Sequence, residues 1–151
     1  MSPLHEIRLL GPGDEDLLGR ACRSLLEVAP EPDRCARLLA EPTFVAVVAM
    51  DGEGAPIGLV YGYVLHRPVQ SDLLIHSVDV AEAHRRRGVG RAMIEALKRL
   101  AAGRGYGEMW VLTNTSNAAA MALYRNCGGV REFEDEAMFV FPIAKDWKPE
   151  T

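Results

Sequence analysis

The sequence lacks most of the features that would assign a chain to a class on sight. It has only three cysteines, Cys22, Cys35 and Cys127, and no two stand at a metal-ligand spacing. A disulfide scaffold and a cysteine-held metal are therefore unexpected, and small buried thiols in a reducing compartment are the expectation. No apolar run approaches the ~20 residues of a membrane span. Residues 1–6 show no basic start leading into an apolar stretch, so no secretory leader is read there and the cytoplasm is the expected location. Repeats, low-complexity tracts and long linkers are also missing. Aromatic residues are sparse at 7%, yet 48% of the chain is hydrophobic and 25% charged, close to the globular average. That balance excludes a disordered tail, a collagen-like fibre and a coiled-coil rod. The length of 151 residues suits one domain, expected to span 1–151.

The formal net charge is −4, which opposes general attraction to nucleic acid. Its distribution is uneven. Residues 81–104 hold seven Lys/Arg and two acids, whereas residues 1–55 hold ten acids and five Lys/Arg. A basic island in an acidic chain could receive a compact polyanion, and the acidic remainder could attract a cation.

Hydrophobic periodicity gives the element order. Residues 5–10 read as a strand closed by Gly11-Pro12-Gly13, with Asp14 as N-cap of a helix reaching about residue 28. A second helix at 33–40 stops before Pro42. Strands at 43–50 and 57–65 flank the turn Asp51-Gly52-Glu53-Gly54, and a third strand covers 73–80. Val89, Ala92, Met93, Ala96, Leu97, Leu100 and Ala101 trace one face of a helix, with Glu95 four residues before Arg99 on the other. A strand at 108–113, a helix at 117–126 stopped by Gly128-Gly129, and a final strand or hairpin within 131–141 complete a mixed α/β order. Residues 73–113 form a strand–helix–strand crossover.

The most informative segment is LLIHSVDVAEAHRRRGVG, residues 73–90. A strand ends, and Arg85-Arg86-Arg87-Gly88-Val89-Gly90 opens the strongest helix. Helix starts carry unpaired N–H groups and the positive end of the dipole, glycines admit a phosphate to the backbone, and arginines add charge. The pattern is neither a Walker A loop nor the dinucleotide fingerprint. Alone, it also reads as a solvated basic helix start.

With Val78 and Val80 before it, Arg85-x-x-Gly88-x-Gly90 resembles the acetyl-CoA motif of the GNAT superfamily of N-acetyltransferases. Asn117, Ala120, Leu123, Tyr124 and Gly128 resemble a second segment of the same superfamily, and the element order matches along nearly the whole chain. The resemblance implies a mixed, mostly antiparallel sheet flanked by helices, with a splayed central strand pair. It implies acetyl-CoA as co-substrate, its pyrophosphate on Arg85, Arg86, Arg87, Gly88, Val89, Gly90 and Arg91. It further implies a pantetheine arm along Val78 and Val80, with Asn117 and Ala120 beside it. Asn117 also reads as a helix N-cap, and valines suit any buried strand.

Tyr124 resembles the family's general acid. A phenol of pKa ~10 stays protonated at neutral pH and can donate to a thiolate of pKa ~8.5. The plain alternative is a core aromatic. An alkyl amine of pKa ~10 arrives protonated, so an acceptor for its proton is sought on the central strand. His76 is one candidate, since histidines ordinarily titrate near ~6.5 and arylalkylamine N-acetyltransferases carry a histidine at the matching place; a structural histidine is the alternative. Asp79 is the second candidate and the Ser77 hydroxyl the third. His84 reads as a loop residue near phosphate.

Residues 43–50, Tyr63-Val64-Leu65, Ala83-His84-Arg85-Arg86 and Ala122-Leu123-Tyr124 also resemble the gentamicin 3-N-acetyltransferases. Those enzymes have an acid where this chain has Ser77. Glu132, Glu134, Asp135 and Glu136 form an acidic cluster that suits a polycation or simply guards a sheet edge. The reading is direct transfer of acetyl to a primary amine, an aminoglycoside or other small cationic amine, with no metal, nucleic acid or membrane involved. The alternative is an acyl-CoA-binding sensor or inactive module. The sequence permits a homodimer without specifying one.

Overall fold

The computed structural model describes residues 5–149; most of the leader reading at residues 1–6 lies outside them. Strand β1 spans Glu6–Leu9, helix α1 Glu15–Ala21, α2 Pro32–Ala40, β2 Phe44–Met50, β3 Pro56–His66, β4 Ser71–Val80, α3 Val89–Gly103, β5 Met109–Val111 and α4 Ala118–Asn126. The five strands form one sheet in the order β1-β2-β3-β4-β5. All pairs are antiparallel except β4 with β5, which the α3 crossover makes parallel. This is the mixed, mostly antiparallel α/β arrangement expected.

Strands β2 and β3 are buried on both faces because helices cover both. On one face Val45, Val47, Val60 and Val64 pack with Met93, Ile94 and Leu97 of α3. On the other, Ala46, Val48 and Leu59 pack with Leu17 and Leu18 of α1 and Leu39 of α2. This explains why TFVAVVAM is a continuous apolar run rather than an alternating one. Gly58 lets α3 approach: a β-carbon there would lie 2.8 Å from the Met93 methyl.

Some local details differ from the pattern reading. Helix α1 is shorter and passes into a wide π-type turn, Cys22–Leu26, ended by Glu27 at φ 56°. Asp14 sits at the N-cap position without bonding the first turn; its carboxylate accepts the Gly11 N–H at 2.9 Å and pairs with Arg8 at 3.1 Å. On α3, Glu95 pairs with Lys98 at 3.4 Å, three residues on, and not with Arg99. The final strand or hairpin expected within 131–141 is not formed: residues 129–143 have no strand and are exposed. Apolar alternation gives a strand its faces, but a strand exists only with a neighbour to bond, and among the described residues this segment has no ladder partner. Among the described residues, no helix is long and apolar enough to cross a membrane.

Candidate active site

The site is set by one extra residue in β4. Tyr63 pairs with Leu74 and Gly62 with Ile75, but Tyr61 pairs with Ser77. His76 is left over as a β-bulge. Gly62 permits it, because a β-carbon there would sit 2.0 Å from the Leu74 carbonyl oxygen. The bulge resets the side-chain alternation. Val78 and Val80, opposite Val60 and Gly58, face the α3 side. Ser77 and Asp79, opposite Tyr61 and Leu59, face the side of α1 and α2. The exposed His76 ring stacks on Tyr61 at 5.2 Å and 19°, and Phe44 meets Tyr63 edge-on at 5.6 Å. The Ser77 hydroxyl donates a short hydrogen bond to the Asp79 carboxylate.

Beyond the bulge the sheet opens. Strands β4 and β5 are paired only at Leu73–Met109, Leu74–Trp110 and Ile75–Val111, while β4 runs on to Val80. The splayed pair implied by the resemblance is therefore present, and among the described residues Val78 and Val80 have β3 on one flank and no strand on the other. The Val80 carbonyl accepts the Arg85 Nε–H at 3.1 Å, which turns the chain into the next loop.

That loop has two left-handed residues, Arg86 at φ 62° and Gly88 at φ 81°. Alternating left-handed residues turn successive N–H groups toward one concave side, an anion-binding arrangement. A β-carbon on Gly88 would meet nothing within 4 Å, so this glycine is needed for its backbone angle and faces open space. Ala92 donates the first helical bond of α3, to the Gly88 carbonyl at 2.9 Å. The N–H groups of Val89, Gly90 and Arg91 precede it and are free of helical partners. Arg85, Arg86, Arg87 and Arg91 are exposed around them, whereas Val89 and Gly90 are buried. Gly90 lies where three elements meet: its β-carbon would be 3.2 Å from Leu123 of α4 and 3.7 Å from Val80 of β4.

Helix α4 is fixed at both ends. Asn117 caps its start, accepting the Ala120 N–H at 3.1 Å. At its end Gly128 is left-handed and Gly129 donates to the Tyr124 carbonyl at 2.8 Å. Lys98 of α3 also donates to the Cys127 carbonyl at 2.8 Å. The partly buried Tyr124 lines an apolar cavity of about 320 Å³ with Ile75, Ile94, Tyr106, Met109 and Val111. Burial pushes its phenol above the ordinary tyrosine value, and the Asp79 carboxylate adds to the effect. Tyr124 and Asp79 are thus brought within electrostatic reach of each other, across 45 residues of sequence.

The acidic cluster lies elsewhere. Glu132, Glu134 and Glu136 border a second cavity of about 670 Å³, together with Asp72, Glu108 and Arg67. Tyr124 and His76 do not line it. Asp72 is fully buried there; Arg67 Nε lies 2.6 Å from its Oδ2, and Gln70 donates to its Oδ1 at 2.6 Å. Burial is the first cause that raises the thiol pKa of Cys22, Cys35 and Cys127, so they stay protonated hydrophobes. Among the described residues no His, Cys, Asp and Glu gather in a metal-holding group. Sequence reasoning missed Tyr61, Gly62 and Lys98. Only Gly62 had a usable signal, since a lone glycine inside a strand marks a bulge or a close backbone approach.

The fold and these two motifs define a class, and residues 15–129 match the acetyltransferase (GNAT) family; the chain belongs to that family. Streptothricin acetyltransferase of Streptomyces lavendulae is 35% identical over 86 residues, which are 57% of this chain and 43% of that protein. The ribosomal protein bS18-alanine N-acetyltransferase of Escherichia coli K12 is 31% identical over 71 residues, 47% of this chain and 48% of that protein. The matched part is less than half of these relatives' own length. Among solved structures, an aminoglycoside acetyltransferase from an uncultured soil metagenomic sample is 30% identical with a TM-score of 0.85, covering 95% of this chain and 100% of that one. A second soil-metagenome aminoglycoside acetyltransferase, crystallised with sisomicin, shares the fold at 20% identity and a TM-score of 0.85, over 93% of this chain and 97% of that one.

Proposed function

We propose that this chain is an acetyl-CoA-dependent N-acetyltransferase that moves acetyl directly onto a primary amine, with an aminoglycoside or another small cationic amine as the acceptor class. The observation that carries the reading is the left-handed loop of Arg86 and Gly88, opening α3 beside a length of β4 with no strand on one flank. That loop suits a pyrophosphate, with open space at Gly88, helix-start N–H groups free of helical partners and four exposed arginines in its sequence. Arg85, Arg86, Arg87, Gly88, Val89, Gly90 and Arg91 would hold it, Val78 and Val80 would bond the pantetheine arm, and Asn117 and Ala120 would border that arm.

When bound, acetyl-CoA supplies an acetyl group activated as a thioester. The protein's part is positioning and proton handling. Tyr124 Oη keeps its proton at neutral pH and delivers it to the departing sulfur. Asp79 and Ser77 share a hydrogen bond on the opposite face of β4, and with His76 they supply acceptors for the proton the amine must lose. A cationic acceptor is supported by the Asp79 carboxylate beside the bulge and by the sisomicin held by a structural neighbour.

The test is release of free CoA thiol from acetyl-CoA by the purified chain, across a panel of aminoglycosides, polyamines and peptide N-termini. Amine-dependent release is expected, fastest with a small cationic amine. Tight acetyl-CoA binding without release for any amine would refute the enzyme and leave the acyl-CoA-binding module.

A further inference from the structure

In a regular strand consecutive side chains point to opposite faces, so the sheet would separate His76 from Ser77. The bulge brings them together. The His76 ring lies on Tyr61, and Tyr61 is the residue opposite Ser77 in the ladder. The three candidate proton acceptors, His76, Ser77 and Asp79, are thereby collected on one side of β4.

That placement leaves the His76 ring unsupported by the ladder. As the extra residue it has no residue opposite it on β3, so it lacks the cross-strand partner that steadies a side chain in a sheet. It is also exposed, and an exposed imidazole changes rotamer freely unless something holds it. His66 shows one way to hold such a ring: its Nδ1 lies 2.7 Å from the Ser71 hydroxyl, a bond that fixes the ring and occupies one nitrogen. His76 is held differently. Its ring stacks on Tyr61 at 5.2 Å between centroids and 19° between planes, inside the range of favourable ring pairs. Among the described residues neither of its nitrogens has a hydrogen-bond partner. A grip on the face of the ring leaves its edge, where both nitrogens sit, open to take a proton.

Tyr61 is itself backed. Phe44 of β2 lies 6.1 Å from it at 34°, and Tyr63 meets Phe44 edge-on. A chain that is only 7% aromatic thus places three rings in one row across β2 and β3, and the row ends on His76. Phe44 and Tyr61 pack in turn against the buried core under α1 and α2.

We propose that Tyr61 is the positioning residue for proton removal from the acceptor amine: it holds the His76 imidazole by its face, in one rotamer, beside Ser77 and Asp79. This rests on the reading of His76 as a group that takes the amine's proton, and the two are tested separately.

The first measurement needs no substrate. The ring current of Tyr61 should displace the His76 imidazole proton resonances, which are identified by their loss in H76Q. Y61L should return them toward the values of a free histidine, and Y61F should keep them displaced. Should Y61L not fold, the β-branched Y61V, suited to a strand, takes its place. His76 resonances that do not move in the folded variant overturn the proposal. The second measurement is turnover with the best amine. Y61L should lower kcat/KM for the amine roughly three- to tenfold, the worth of one ring pair, with KM for acetyl-CoA unchanged, and Y61F should restore it. In the H76Q background Y61L should cause no further loss. An equal loss with and without His76, or the same loss in Y61F, overturns the positioning role. A wild-type rate in H76Q refutes the base itself, and this role with it, whatever the resonances show.

Discussion

A β-carbon on Gly62 would stand 2.0 Å from the carbonyl oxygen of Leu74, across the β3–β4 ladder. That close approach admits the bulge at His76, and the bulge turns Val78 and Val80 to the α3 side and Ser77 and Asp79 to the other. Gly62→Ala should therefore either destabilise the protein by on the order of 2 kcal/mol or more, or expel the bulge. Urea unfolding reads the first outcome, and loss of acetyl-CoA binding reads the second. An alanine variant with wild-type stability and binding would show that the bulge does not depend on this glycine.

Gly88 has open space around it but a backbone angle that β-branched residues resist. Gly88→Val should leave the fold intact, because the loop is exposed, and weaken acetyl-CoA by at least about tenfold. Calorimetry checks both parts; unchanged affinity would remove the loop from the binding site.

Tyr124→Phe should bind acetyl-CoA nearly as the wild type does and turn over more slowly, by about 10²-fold or more if the phenol is the proton donor. Burial and then Asp79 raise the phenol's pKa, so it stays protonated further into alkaline pH. Loss of rate from its ionisation should accordingly begin only above the ordinary tyrosine value of ~10. Wild-type turnover in the variant, with chemistry shown to be rate-limiting, would exclude it as the acid.

His76→Gln should lower kcat/KM most at pH values below the pKa of the acceptor amine, where the amine must lose a proton. The deficit should shrink as free amine becomes abundant. A direct base would give an effect of about 10²-fold and a water relay less. Identical pH profiles for variant and wild type would transfer the role to Asp79 or to water.

The elements that carry the motifs were legible because their signals are local. The i, i+3, i+4 face from Val89 to Ala101 predicted α3, and Gly128-Gly129 predicted the end of α4. The basic glycine loop was legible for the same reason, as charge and chain reversal in six residues. The bulge was not, because it is a relation between Gly62 and Leu74, twelve residues apart. Nor was the pairing of Tyr124 with the field of Asp79. The last strand was predicted from alternation, and alternation says nothing about whether a neighbour is available to bond. Glu132, Glu134 and Glu136 border a cavity that Tyr124 and His76 do not line, a separation that composition alone does not reveal.

Asn117 is an amide with two different ends, and helix α4 has already claimed one of them. One lone pair of its oxygen is taken by the Ala120 N–H, and the NH₂ group, with two donors, remains to offer a visitor. An acceptor, such as the carbonyl of an amide link, is the partner that this NH₂ group suits. Aspartate in this place would keep the cap and withdraw the donor. Asn117→Asp should thus leave the helix as stable as before while acetyl-CoA binds less tightly, so one substitution separates the residue's service to the fold from its service to the ligand.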